Sequence, residues 1–202
     1  GPINTTELKQ RVTQGYELAC LLRGIYDARR HGALSASNAE FYRMVRQGEY
    51  LHPDDFIPLV EDFLKAFKGG GPKGPGVILS GVVPNPSEIL TLLDELGIRV
   101  VDDDLLCCSR RIPLNITMAQ DPFEALADSY FAMPPCTTKD SPLESRIDWL
   151  IEKIAASQAR GVIFDLVKFC EPEWFDVPRV AEAVKKAGTA VLTVDVDLNR
   201  GL

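Results

Sequence analysis

The chain has 202 residues, 46% of them hydrophobic and 25% charged, with a formal net charge of −7. That is enough for one good core, or one core with a helical appendage. The acidic balance argues against nucleic acid or an anionic membrane as the partner, and the longest apolar runs ("GVILSGVV", "AVLTVDV") are strand-sized, so no membrane span is expected.

The first third reads as helical. In "NTTELKQRVTQGYELACLLRGIYDARR", Asn4 or Thr5 offers a cap, and Leu8, Val12, Leu18, Leu21, Leu22 and Ile25 form an apolar stripe. "SASNAEFYRMVRQG" starts at a Ser/Asn cap and stops at Gly48. "HPDDFIPLVEDFLKAF" opens with a proline and two acids that suit a helix N-terminus. "KGGGPKGPG" then breaks the pattern and reads as a surface linker. It divides a helical segment, residues 1–74, from a second unit, residues 75–202.

Beyond it the period changes. "GVILSG", "IRVVDDD", "GVIFDLV" and "TAVLTVDVD" read as strands. "NPSEILTLLDELG", "DPFEALADSYF", "SPLESRIDWLIEKIAASQARG" and "VPRVAEAVKKAG" read as the helices around them. Short Val/Ile-rich strands alternating with helices predict a doubly wound α/β fold, flavodoxin-like, with four parallel strands in the order 2-1-3-4. The helical start reads as a continuation rather than a beginning, and the end, just past a strand, as a truncated C-terminus.

Ligands of open parallel sheets bind beyond the carboxyl ends of the strands. Those ends carry Ser80-Gly81, Asp102-Asp103-Asp104, Lys168-Phe169-Cys170-Glu171 and Asp195 with Asp197. Three consecutive acids repel one another unless cations or a metal compensate them; Arg110 and Arg111 stand close enough in sequence to do so, and a magnesium site is the alternative. "SGVVPNPSE" could bring backbone N–H groups to a phosphate, but it lacks the GxGxxG and P-loop fingerprints, and Asn85 or Ser87 is the better helix cap. Ser80, Asp103, Arg110 and Lys168 are the candidate substrate-binding rim.

The five cysteines, Cys20, Cys107, Cys108, Cys136 and Cys170, form no CxxC pair. In a chain that opens without a charged-then-apolar leader, an odd set points to a reducing, cytoplasmic compartment and free or metal-bound thiols. Cys107 and Cys108 could be a redox pair, though apolar packing is their simpler role, and Cys136, between prolines and a capping stretch, reads as structural. Cys170 sits at a strand exit, and Glu-Pro follows at once. No histidine is near in sequence to serve as its base, so thiol hydrolase chemistry is weakly supported. A soft metal or iron–sulfur ligand fits better than a nucleophile, and from spacing alone a buried structural thiol is the leading reading.

"GVIFDLVKFCEPEWFDVPRVAEAVKKAGTAVLTVDVD" resembles the closing part of the benzoyl-CoA reductase and 2-hydroxyacyl-CoA dehydratase family of iron–sulfur D-component subunits. "DDDLLCCSRR", "DPFEALADSYF", "PPC…SPLESRIDWLIE" and the upstream "LRGIYDARR…YLHPDDFIPLVEDFLKAF" follow in the family's order. The resemblance implies a subunit about twice this long that binds a [4Fe-4S] cluster through three cysteines. Cys170 matches one of them; the other two belong to a lobe this chain lacks. It implies a paired homologous subunit, an ATP-hydrolysing iron–sulfur activator, and one-electron reduction of an acyl-CoA thioester in an anaerobic cytoplasm. "VVDDD" with "LLCCSR" leans toward the reductase-type subunits. The alternatives are a dehydratase subunit and a non-catalytic flavodoxin-like interaction module. The isolated chain is expected to be inactive and cluster-free.

Overall fold

A computed structural model describes residues 2–84, 87–114 and 121–197. Three helices come first: α1 (Thr5–Arg30), α2 (Asn38–Gln47) and α3 (Pro53–Ala66). There follow β1 (Gly76–Gly81), α4 (Glu88–Glu95), β2 (Arg99–Leu105), α5 (Pro122–Phe131), α6 (Leu143–Ser157), β3 (Gly161–Val167), α7 (Glu171–Lys186) and β4 (Ala190–Val196). The strands form one parallel sheet in the order β2-β1-β3-β4, the arrangement expected from the alternation of strands and helices.

Local chemistry sets most helix ends. Asn4 caps α1 by accepting from the Thr6 and Glu7 N–H groups, and Ser37 and Glu40 close a reciprocal capping box on α2. Helix α4 ends in a Schellman turn: Gly97, at φ +66°, donates to the Asp94 carbonyl while the Ile98 N–H reaches that of Leu93. Its start departs from expectation. Ser87 already has helical dihedrals and makes no side-chain cap; the other candidate, Asn85, lies outside the described residues. Helix α7 is the larger correction. It starts at Glu171 rather than Val177, with Cys170 as its N-cap residue and Pro172 in its first turn. Pro178 suits a helix start, but it lies inside α7, where it has no N–H to donate and its ring crowds the preceding turn.

Right-handed crossovers put α4 on one face and α6 and α7 on the other, because the chain reverses direction across the sheet after β2, while α5 lies against α1. Two cores result. On one face Ile25, Tyr26, Phe41, Tyr42, Phe56 and Val60 from α1–α3 pack with Ile89 and Leu93 of α4 against Leu79, Val100, Leu105 and Ile163. On the other, Leu150 of α6 and Val177, Val180 and Val184 of α7 cover Ile78, Val101, Val162, Phe164 and Leu166. The helical segment thus shares a core with the sheet. Buried Arg29 fastens it further, donating from Nε to the Val100 carbonyl at 2.6 Å and from Nη1 to that of Ala36 at 3.0 Å, with its guanidinium 4.5 Å from the centre of the Phe41 ring. The glycine-rich linker folds back on the α1–α2 turn, where Gly69 and Gly71 donate to the Ala33 and Gly32 carbonyls.

One irregularity positions the site. Val77 pairs with Val100, but Ile78 pairs with Asp102, so the β1–β2 register shifts by one residue at Val101. Side chains alternate faces along a strand, and an extra residue reverses the sense of everything after it. Asp103 consequently lies on the α1–α4 face with Leu79, while Asp102 and Asp104 lie on the α6–α7 face with Ile78 and Ser80.

Candidate functional site

The three acids lie within β2, buried at 1%, 0% and 4% relative exposure, and each has a different solution to its charge. Asp102 meets Lys153 Nζ at 2.7 Å and Arg30 Nη2 at 2.8 Å. Asp103 accepts from the Tyr26 hydroxyl at 2.6 Å and the Tyr42 hydroxyl at 3.0 Å. Its second oxygen accepts from the Leu105 and Ser109 N–H groups, both at 3.0 Å, which shapes the turn after the strand. Burial dominates here and lifts the Asp103 carboxyl above its usual range, against the pull of Lys153 and the tyrosine hydrogen bond. Burial pushes Asp104 the same way, but Arg110, with Arg146 and Ser80, outweighs it and holds this carboxyl below its usual range.

Asp104 opens a buried network. Arg110 grips it bidentately, Nε and Nη2 each at 2.8 Å, while Ser80 Oγ donates at 2.8 Å and Trp149 Nε1 at 3.2 Å. The remaining arm of Arg110 reaches Glu173 at 2.8 Å. Arg146 holds the other Glu173 oxygen at 3.0 Å and continues to Asp176 at 2.8 Å. Ser80, Arg110, Arg146 and Glu173 are each at most 4% exposed. Of the three acids, the neutralising partner expected from the sequence, Arg110, thus serves only Asp104, and Arg111 is exposed.

The β3 exit lies beside this network. Phe169 adopts φ +67° and is 94% exposed; that left-handed turn redirects the chain from strand to helix. Cys170, partly buried, follows it, donating its N–H to the Val167 carbonyl and accepting the Trp174 N–H at its own, both at 3.1 Å. The Trp174 indole donates to the same Val167 carbonyl at 3.1 Å. Lys168 is half exposed, with Nζ 3.8 Å from an Asp197 oxygen.

The structure therefore joins Ser80 to Arg110 through Asp104, turns Asp103 to the opposite face, and leaves Lys168 at the surface near Cys170. Of the four expected rim residues only Lys168 faces solvent; the others are sealed beneath. Glu173, Arg146, Trp149, Lys153, Tyr26 and Tyr42 belong to these networks without standing out in the sequence. A signal exists for three of them. Arg146, Trp149 and Lys153 are spaced i, i+3, i+7, so they share one face of α6, and a polar stripe aimed at a sheet demands buried partners.

The other thiols have local explanations. Cys107 and Cys108 are free, with sulfurs 3.6 Å apart; the contact with Cys107, then burial, pushes the Cys108 thiol well up. Cys136 is buried, 3.1 Å from the Thr138 hydroxyl and 3.8 Å from Arg110 Nη1. Burial opposes ionisation there, but Thr138 and Arg110 together bring this thiol below its ordinary value. Among the described residues, no group of three or more His, Cys, Asp or Glu is placed to hold a metal. Cys170 fits a metal or cluster as a single soft donor, held by backbone at a surface turn; further ligands would come from outside the described residues.

Sheet order, crossovers and a strand-exit cysteine define a doubly wound α/β subunit with its distinctive residues at the carboxyl ends of the strands. The chain belongs to the family of the 2-hydroxyglutaryl-CoA dehydratase D-component, whose model matches residues 1–201. It is 27% identical over 158 residues to the (R)-phenyllactyl-CoA dehydratase beta subunit of Clostridium sporogenes, covering 77% of this chain and 42% of that protein. Identity is 29% over 125 residues to the lactoyl-CoA dehydratase beta subunit of Anaerotignum propionicum, covering 61% and 33%. It is 24% over 169 residues to a benzoyl-CoA reductase subunit of Thauera aromatica, covering 80% and 44%. The chain spans less than half the length of each of these relatives. Among the described residues no helix is long and apolar enough to cross a membrane.

Proposed function

We propose that this chain is the part of an iron–sulfur acyl-CoA reductase or dehydratase that supplies one cluster ligand, Cys170. The observation that carries the reading is the backbone-held thiol at the β3 exit, in a chain matched along its length to the D-component family. A [4Fe-4S] cluster, when bound, supplies low-potential one-electron chemistry to a CoA thioester. The chain's own part is to present the thiolate at a fixed angle, with the Phe169 turn and the Trp174 indole setting that angle from either side. Lys168, beside Cys170, is an exposed cation that would meet an anionic part of the substrate. A paired homologous subunit and an ATP-hydrolysing iron–sulfur activator make up the rest of the proposed system, in an anaerobic cytoplasm.

Reduction of an aryl-CoA such as benzoyl-CoA is the leading activity, and dehydration of a 2-hydroxyacyl-CoA is the second, favoured by the two dehydratase subunits among the relatives. Iron and sulfide analysis of the full-length, anaerobically purified protein tests the ligand assignment. Cys170→Ser is expected to lose the cluster, and full retention would refute the assignment. Parallel anaerobic assays with benzoyl-CoA and a 2-hydroxyacyl-CoA separate the two activities.

A further inference from the structure

The first turn of α7 is anchored twice. On its outer side the Trp174 indole and the Cys170 N–H converge on one acceptor, the Val167 carbonyl at the end of β3. On its inner side Glu173 points beneath the helix and is 2% exposed. Both Glu173 oxygens are engaged by arginines, one from the turn after β2 and one from α6, at 2.8 and 3.0 Å. Arg110 is itself locked to Asp104, and Asp104 to Ser80. A continuous chain of short polar contacts thus runs from the carboxyl ends of β1 and β2 to the turn that begins with Cys170.

We infer that Glu173 is a positioning residue for Cys170, acting with Arg110 and Arg146. Glu173 lies three residues after Cys170, and the Cys170 carbonyl accepts from Trp174, the next residue on. Fixing Glu173 from below therefore fixes the plane of the turn and, with it, the direction of the Cys170 Cα–Cβ bond. A merely stabilising ion pair could sit anywhere in the core. This one sits under the one turn whose geometry controls the Cys170 thiol, and its inner end rests on two strands of the sheet. Arg110 also passes 3.8 Å from the Cys136 sulfur, which ties the 136–141 loop to the same frame. The inference rests on the reading of Cys170 only for its consequence in the enzyme; the positioning itself can be measured without a cluster.

The experiment compares wild type, Glu173→Gln and Asp176→Asn in the 202-residue chain. The rate of native-state alkylation of Cys170 by iodoacetamide is read by peptide mass spectrometry, with exposed Cys20 as internal reference. Glu173→Gln is expected to change the Cys170 to Cys20 ratio at least threefold and to speed amide exchange across residues 170–175. Asp176→Asn, which trims only the outer end of the network, is expected to move both about twofold in the same direction, and it carries the test if Glu173→Gln does not fold. A lowered melting temperature with an unchanged ratio would overturn the inference. So would a changed ratio without faster exchange, since that marks a change in charge rather than position. In the full-length enzyme, Glu173→Gln is expected to alter the electron paramagnetic resonance line shape of the reduced cluster. Cluster loss in Cys170→Ser beside an unmoved ratio defeats the positioning role alone. A moved ratio beside a retained cluster defeats the ligand assignment alone.

Discussion

Asp103 and Asp104 are neighbours in β2, yet the two faces of the sheet treat them in opposite ways. On the α1–α4 face Asp103 meets two hydroxyls and two N–H groups, and burial raises its carboxyl. On the α6–α7 face Asp104 meets a guanidinium and its carboxyl is depressed. One face solves a buried acid with neutral donors, the other with paired charge. The first solution tolerates a proton and pins helices to the sheet. The second fixes directions, because a bidentate arginine fork holds planar geometry, and the turn carrying Cys170 lies on that side.

Breaking the charged side should cost most. Arg110→Met leaves the Asp104 and Glu173 carboxylates buried without their main partner, and truncating one member of such a cluster costs about 3–5 kcal/mol; urea unfolding checks this. Tyr26→Phe or Tyr42→Phe should cost only about 1 kcal/mol each, since either change leaves Asp103 with three donors. The double variant should exceed the sum of the singles, because both hydroxyls serve one oxygen. Trp174→Phe removes the indole hydrogen bond to Val167. It should cost about 0.5–1.5 kcal/mol, visible as faster exchange confined to the first turn of α7.

Proton linkage separates the faces by sign. Asp104, depressed in the fold, adds stability above the ordinary aspartate range near about 4, and that contribution is lost as pH falls through its lower folded value. The deficit of Asp104→Asn relative to wild type should therefore shrink on acidification. Asp103, raised in the fold, favours the folded state at low pH and loses that advantage as pH rises from about 4 through its folded value. Asp103→Asn should gain on wild type over that rise. Unfolding free energies measured from the acid side to neutrality would show crossing trends, and parallel trends would mean that the two carboxylates share one environment.

Much of this architecture is legible in the amino-acid order. Alternating apolar runs and capped helices specify the elements, and their strand–helix alternation points to the parallel, doubly wound sheet found in the 2-1-3-4 order. The start of α7 is not legible, because Pro178 resembles a helix N-terminus; packing of Val177, Val180 and Val184 on the sheet offsets the lost N–H bond and the crowding of the proline ring. The "DDD" triplet points to an exposed rim, since hydropathy treats acids as surface residues, whereas tertiary contacts supply partners from α1, α2, α6 and the turn after β2.

The sequence by itself determined most of the elements, their order along the chain and the placing of a cysteine at the exit of β3. The tertiary structure alone decided which acid faces which partner, through a one-residue register shift at Val101. It also buried Glu173 beneath the Cys170 turn between Arg110 and Arg146, at sequence separations of 63 and 27. The physical reason is that strand and helix periods are local, whereas the pairing of buried charges depends on which surfaces meet after the chain has crossed the sheet.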